Sequence, residues 1–290
     1  MEKVDVYLCG HKGAACALVL AEKFADLINV AIVENDTTLK INPYTETVRT
    51  LHAAGIKVSN RISKDPAKSA IAVGWRKLIR HEYEQLVILH DSLLPKYRGW
   101  NPLLTALNNG DKEIGVTALL GVSEMDSGPI VTQKKASINY PIRLERAISI
   151  VSALSAQIVE KLMPDLIAGK KLKGKKQDAS KATYSLWRDE QDFRIDFKQS
   201  AQKVVRHIDS TSTPYQGASA LLDGKLVRIE RAEVWKINPK IVNPTPGKIW
   251  QLIAGEPIVI CQTGFIRILE LRDGNGKNLL PLTKLRQRFE

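Results

Sequence analysis

The chain has 290 residues, 44% apolar and 26% charged, and its 43 Lys+Arg against 31 Asp+Glu give a net charge of +12. That composition excludes a fibrous or disordered polypeptide and is that of a soluble globular protein long enough for two domains. No apolar run approaches the ~18 residues a membrane helix needs, and the start Met1-Glu2-Lys3-Val4-Asp5 lacks a signal-peptide pattern, so a cytoplasmic location is expected.

In chain order, residues 4–9 read as a strand, 14–24 as a helix and 30–33 as a second strand. Residues 45–54 read as a helix closed by Gly55, followed by short strands at 56–58, 70–73 and 86–89. Strands alternating with helices predict a doubly wound, Rossmann-like α/β domain with a parallel sheet. Gly10-His11-Lys12-Gly13, after the first strand, lacks the spacing G-x-G-x-x-G. It reads as a tight strand-to-helix turn, with anion binding at a helix N-terminus as the alternative. Helices are expected at 101–108 and 143–168, the second with Leu144, Ala147, Ile148, Val151, Leu154, Ile158, Leu162 and Leu166 at helical spacing.

The composition then changes. Residues 169–183 are lysine-rich, with a net +5 over 170–181, and read as a solvated linker, a specific anion contact being the alternative. Beyond it come an amphipathic helix at 200–208, a hairpin with Asp223-Gly224 as its turn, and short strands near 247–250, 257–260 and 265–269. Closely spaced short strands predict a smaller, OB-like β-barrel. The domains are thus expected at 1–168 and 184–290. Charge is uneven between the halves: residues 1–168 carry 20 Lys+Arg against 18 Asp+Glu, and residues 169–290 carry 23 against 13. A basic second half implies an anionic partner or solvated lysines. The three cysteines, Cys9, Cys16 and Cys261, are scattered without any C-x-x-C, which predicts buried reduced thiols and no metal site.

The most informative stretch is His90-Asp91-Ser92-Leu93-Leu94-Pro95-Lys96-Tyr97-Arg98-Gly99. It places a histidine where an apolar strand runs into a punctuated loop, the strand-end position at which open α/β sheets bind ligands. Gly115-Val116-Thr117 and Asp126-Ser127-Gly128 follow. Together these segments resemble the formyltransferase family that uses 10-formyltetrahydrofolate, which includes methionyl-tRNA formyltransferase and the sugar N-formyltransferases. Residues 184–190, 195–197, 213–218 and 246–249 resemble the family's second domain, so the resemblance spans almost the whole chain.

The resemblance implies that His90 is the acid/base and electrophilic residue, with Asp126 as its partner and proton relay. Histidine suits a proton path because its unperturbed pKa lies near neutrality. Family members usually carry an asparagine two residues before this histidine, whose amide helps hold the oxyanion. Here that position is Ile88, and Asn101 is the nearest replacement candidate. For the folate, the resemblance points to Gly74, Trp75, Leu78, Ser92, Leu93, Leu94, Pro95, Val122 and Met125. His11, Lys12, Arg98 and Trp100 are candidates for contacts to the acceptor. The family version that formylates charged tRNA carries a long basic insertion after its second strand. The corresponding stretch here, 34–40, is short and net negative, which favours a nucleotide-linked amino sugar over tRNA. The basic second half argues the other way, and another small amine or a catalytically degraded binding protein remains an alternative. A homodimer is left open.

Overall fold

The computed structural model describes every residue except Ser63 and Asn238. It divides into two compact units, one formed by residues 1–106, 111–138 and 146–187, the other by 107–110, 139–145 and 188–290. The first unit begins β1 (Val4–Cys9), α1 (Gly10–Lys23), β2 (Ile28–Glu34), α2 (Tyr44–Ala53), β3 (Val58–Ser59), β4 (Ser69–Val73) and β5 (Gln85–His90). It continues with β6 (Arg98–Gly99), α3 (Pro102–Asn109), β7 (Glu113–Leu120), β8 (Ile130–Ser137), α4 (Leu144–Ile167) and β9 (Tyr184–Ser185). The ends of α3 and α4 fall in the second unit.

The main sheet has the order β3-β2-β1-β4-β5-β7-β8. Its first five strands are parallel neighbours, whereas β7 and β8 are antiparallel additions. All six residues of β1 are buried, as expected for a central strand covered on both faces. On one face α1 presses close: a Cβ on Gly13 would stand 3.0 Å from the Leu8 backbone. Helix α2 packs against α1, and Lys23 of α1 pairs with Glu160 of α4 at 2.5 Å.

The opposite face is built differently. Tyr7, Val30, Ile32, Ala70 and Ala72 are covered by Trp75, Ile79 and Tyr83 from the connection after β4, with Leu86 and Ile88 beside them. Among the described residues, none from a helix belongs to this cluster. The Rossmann-like parallel sheet is therefore present, but an irregular segment takes the place of helices here. The connection between β3 and β4, residues 60–68, is short for a crossover helix, which needs about a dozen residues.

Under that segment lies a polar network that is satisfied internally. Asp5, fully buried, accepts from Asn29 Nδ2 (2.8 Å), the Ala67 amide (3.2 Å) and Tyr83 Oη (2.9 Å), and Tyr83 in turn bonds Tyr7 Oη at 2.8 Å. Although α4 is long and apolar enough to cross a membrane by length and composition, eight of its apolar side chains, from Leu144 to Leu166, are buried in this fold. The helix expected at 143–168 is thus present, and a count of unbroken apolar runs does not flag its membrane-like length because its apolar residues are interleaved with polar ones.

Residues 169–183 differ from the expected solvated linker. Lys175 exchanges backbone hydrogen bonds with Ile130 (2.8 Å each way), and the Leu172 amide donates to Gln85 Oε1 at 2.6 Å. Gln177 is buried. The lysine ammonium groups stay in water while the backbone between them packs, a division that net charge along the sequence does not reveal.

The second unit holds α5 (Ala201–Thr211), β10 (Ala218–Leu222), β11 (Lys225–Trp235), β12 (Ile249–Ile253), β13 (Glu256–Ile260) and β14 (Phe265–Asp273). Its antiparallel sheet runs β10-β11-β14-β13-β12. The terminal residues bridge both edges: Leu221 and Glu290 exchange hydrogen bonds at 2.7 and 2.8 Å, and the Phe289 amide donates to Gly247 O at 2.8 Å. This closes the sheet in a barrel-like way around Ile229, Ile266, Ile268 and Phe289, with Val204 and Ile208 of α5 in the same core. The hairpin turn has Asp223 and Gly224 at φ +50° and +75°, the left-handed pair that suits the twist of its strands.

Candidate active site

Strand β5 ends at His90, which stands opposite Thr117 of β7. That register brings the Gly-Val-Thr segment to the histidine loop. Thr117 is fully buried and its hydroxyl is used completely. It donates to Ser92 O (2.7 Å) and accepts from the Leu94 amide (3.1 Å) and Gln133 Nε2 (2.8 Å). Gln133 also donates to Leu94 O at 2.9 Å, and Ser92 Oγ donates to Lys96 O at 2.6 Å. The loop after β5 is thus held by side chains rather than by a ladder. Ser92 and Leu94, expected at a folate, are buried in this framework, while Leu93 and Pro95 are half-buried. Leu93 lines a surface cavity with Asp91, Lys96, Tyr97, Ile114 and Gly115.

His90 itself is buried. Its Nε2 lies 2.8 Å from Tyr97 O, and because a carbonyl only accepts, this nitrogen carries the proton. Nδ1 faces Asp126 Oδ2 at 3.5 Å. The same carboxylate oxygen accepts from the Gly99 amide at 2.8 Å. Strain gathers here: Tyr97, Asn101 and Asp126 have φ of +61°, +49° and +52°. Gly99, at φ +99°, allows Ser185 O to approach where a Cβ would stand 2.6 Å away. The adjoining Asp91 is pulled two ways: burial pushes its carboxyl up, but Lys12 and His90 outweigh this and hold it below the usual carboxylate range. Lys12 Nζ sits 2.8 Å from its Oδ1.

The remaining candidates scatter. Gly74 takes φ +65°, and a Cβ there would stand 2.5 Å from Cys9 O, so backbone crowding alone demands glycine. Trp75 stacks edge-on against Tyr7 with ring centroids 5.0 Å apart, and its buried Nε1 has no partner among the described residues. Leu78, Val122 and Met125 are exposed. His11 Nε2 lies 3.1 Å from Ile41 O, and Trp100 is partly exposed. Arg98, an acceptor-side candidate, is instead buried, with Nε and Nη2 on Gln177 Oε1 at 3.1 and 2.9 Å. The acids after β2 are neutralised within the fold: Asp36 pairs with Arg76 at 2.8 Å and Glu34 with Lys77 at 2.7 Å. Among the described residues no cluster of three His, Cys, Asp or Glu could hold a metal, and all three cysteines are buried and free.

Sequence reading missed the Gly99 amide, Gln133 and Gln177. Gln133 stands opposite Thr117 across β7 and β8, a contact visible only once strand register is known.

A Rossmann-like sheet with a histidine–carboxylate pair at the end of a central strand, followed by an antiparallel β unit, defines a class of two-unit α/β proteins. Comparison with known proteins narrows this. Residues 10–148 match the model of the formyl transferase family, and residues 188–286 that of the formyl transferase C-terminal domain. The methionyl-tRNA formyltransferase of Streptococcus equi subsp. equi is 36% identical over 148 residues, 51% of this chain and 47% of that protein. That of Thermodesulfovibrio yellowstonii is 31% identical over 216 residues, 73% of this chain and 67% of that protein. The match thus spans about half the length of the Streptococcus relative. The structure of WlaRD, a sugar 3N-formyl transferase solved in the presence of dTDP and 5-N-formyl-THF, superposes with a TM-score of 0.71 at 18% identity. It covers 97% of this chain and 98% of that one, a likeness of fold. The chain belongs to the formyl transferase family.

Proposed function

We propose that the protein transfers a formyl group from 10-formyltetrahydrofolate to a primary amine. The observation that carries this reading is the His90–Asp126 pair, 3.5 Å apart at the end of β5 beside a side-chain-braced loop. Formyl transfer is acyl transfer. The acceptor nitrogen adds its lone pair to the formyl carbon and the carbonyl oxygen takes up negative charge; the carbonyl then re-forms as the bond to the folate N10 breaks, and the proton that N10 gains balances the one that the acceptor nitrogen sheds. His90 Nε2 is the nitrogen turned away from Asp126, so it is the one that can exchange a proton with the reacting groups. In the free protein that proton is donated to Tyr97 O, so exchange with substrate requires this contact to give way. Asp126, fixed by the Gly99 amide, orients the ring and stabilises its charged form.

Two acceptors separate on specific observations. The curated relatives are methionyl-tRNA formyltransferases, and with the basic second half of the chain they put an aminoacyl-tRNA first. The nine residues between β2 and α2 hold no long basic insertion, which supports a small nucleotide-linked amino sugar as the second reading. Repulsion by the acids of that stretch no longer supports it, since Glu34 and Asp36 are paired. The test is release of tetrahydrofolate from the formyl donor with charged initiator tRNA, beside a panel of nucleotide-linked 3- and 4-aminosugars. Turnover with tRNA alone removes the sugar reading, turnover with a sugar alone removes tRNA, and absence of turnover with every amine removes formyl transfer.

A further inference from the structure

We infer that Gln177 is a positioning residue that acts on the reaction through Asp126, an inference that rests on the formyl-transfer reading. Gln177 lies in the lysine-rich connection, 51 residues from Asp126 in sequence, yet it is buried against the catalytic pair. Its amide is saturated. Nε2 donates one hydrogen to Asp126 O at 2.7 Å and the other to Gly128 O at 2.8 Å. Oε1 accepts both from Arg98 Nε and from Arg98 Nη2. One side chain therefore joins the turn that carries Asp126 to the strand that carries Gly99, whose amide holds the Asp126 carboxylate.

The arrangement has a use beyond holding the fold. Asp126 sits in the left-handed region at φ +52°, a conformation that costs a non-glycine residue energy and persists only where surroundings impose it. The two carbonyls that receive the Gln177 hydrogens, Asp126's own and that of Gly128, lie just C-terminal to its Cα, so they tie down the turn from which the carboxylate leaves the backbone. At 3.5 Å from His90 Nδ1 the carboxylate already stands beyond ordinary hydrogen-bond length, so a further shift of about an ångström decouples the pair, and misplacement of that size costs on the order of a hundredfold in rate. A carboxamide supplies both the acceptor and the two donors that these contacts use. A glutamate would keep the Arg98 contact, strengthened by charge, but would face two carbonyls without a hydrogen to give.

The experiment is a double-mutant cycle in the full-length protein. Gln177→Ala and Gln177→Glu are each made alone and with Asp126→Asn, and kcat, KM for the formyl donor and thermal midpoint are recorded. The imidazole 15N spectrum of His90 is read in parallel and needs no substrate. We expect either single substitution to lower kcat at least tenfold with KM within threefold. Gln177→Glu keeps the Arg98 contact but leaves two buried carbonyls without a donor, so its melting temperature should fall too, and kcat of each variant is read below the onset of its own melting. In the Asp126→Asn background the kcat effect of the second substitution should shrink to less than threefold. The His90 15N signal should move in the direction that Asp126→Asn moves it. A full tenfold loss on top of Asp126→Asn, or an unchanged His90 spectrum in both Gln177 variants, overturns the positioning role. If the parent turns over no amine, the formyl-transfer reading falls while the spectrum still decides whether Gln177 governs the pair.

Discussion

Replacing Ile88 by asparagine tests how the proposed formyl transfer would stabilise its developing oxyanion. Ile88 lies two residues before His90 on β5, so both side chains project from the same face of the sheet. It is half-buried opposite Ala72 of β4, at the margin of the cluster that Trp75 also covers. Removing its apolar surface costs about 1 kcal/mol for partial burial, and bringing an amide into that cluster about 1–2 kcal/mol more. The unpartnered Trp75 Nε1–H in the same cluster can donate to the new amide oxygen, a contact worth about 1 kcal/mol in return. The net expectation is a loss of about 1–2 kcal/mol, seen as a fall in melting temperature of roughly 2–8 °C. An oxyanion donor is worth about 3 kcal/mol, or a hundredfold in rate. We expect no such gain, because Asn101 follows Gly99 closely and its side-chain amide makes no hydrogen bond among the described residues. Steady-state kcat beside a thermal melt of the same sample checks both halves. A rise in kcat of tenfold or more would show that the site lacks a donor and refute the idea that it has been rebuilt.

His90→Ala and Asp126→Asn should each lower kcat by at least ~10²-fold while leaving the melting temperature close to that of the parent, since each removes a proton-transfer or electrostatic role. Near-normal turnover in either variant would contradict the acid/base and relay roles of the pair. Thr117→Val should cost about 2–4 kcal/mol in chemical denaturation, because the Leu94 amide and Gln133 lose a buried acceptor and Ser92 O a donor, whereas Thr117→Ser should recover most of it. Asp209 on α5 gives a pH signature. Burial pushes its carboxyl up to about 6, against the pull of Arg143 and Arg231. A carboxyl raised on folding favours the folded state when protonated, so this contribution is full below about pH 4 and is lost as pH rises through about 6. Melting temperature against pH should therefore fall less steeply between pH 4 and 6 in Asp209→Asn than in the parent, and parallel curves would count against it.

Much of the architecture was legible because it is local. The apolar runs of β1, β4 and β5 and the helical spacing of α4 are set by neighbours within a few residues, and so is the Asp223-Gly224 turn. The motif around His90 was legible for the same reason, since a strand end, a proline and a glycine lie within ten residues. Partners distant in sequence were not. The Gly99 amide reaches Asp126 across 27 residues, and it and the Tyr97 carbonyl hold the His90–Asp126 pair through backbone atoms, which carry no residue-type signal at all. Arg98 looked like a substrate contact by its charge, and only the fold shows it buried against Gln177. The lysines around Gln177 marked that stretch as solvated, although its backbone is bonded to Ile130. The missing helical layer over Tyr7 and Ile88 is likewise a matter of what one short connection can span. Periodicity and punctuation fix elements, whereas burial, register and hydrogen-bond saturation are properties of the assembled chain, and those are what make a site.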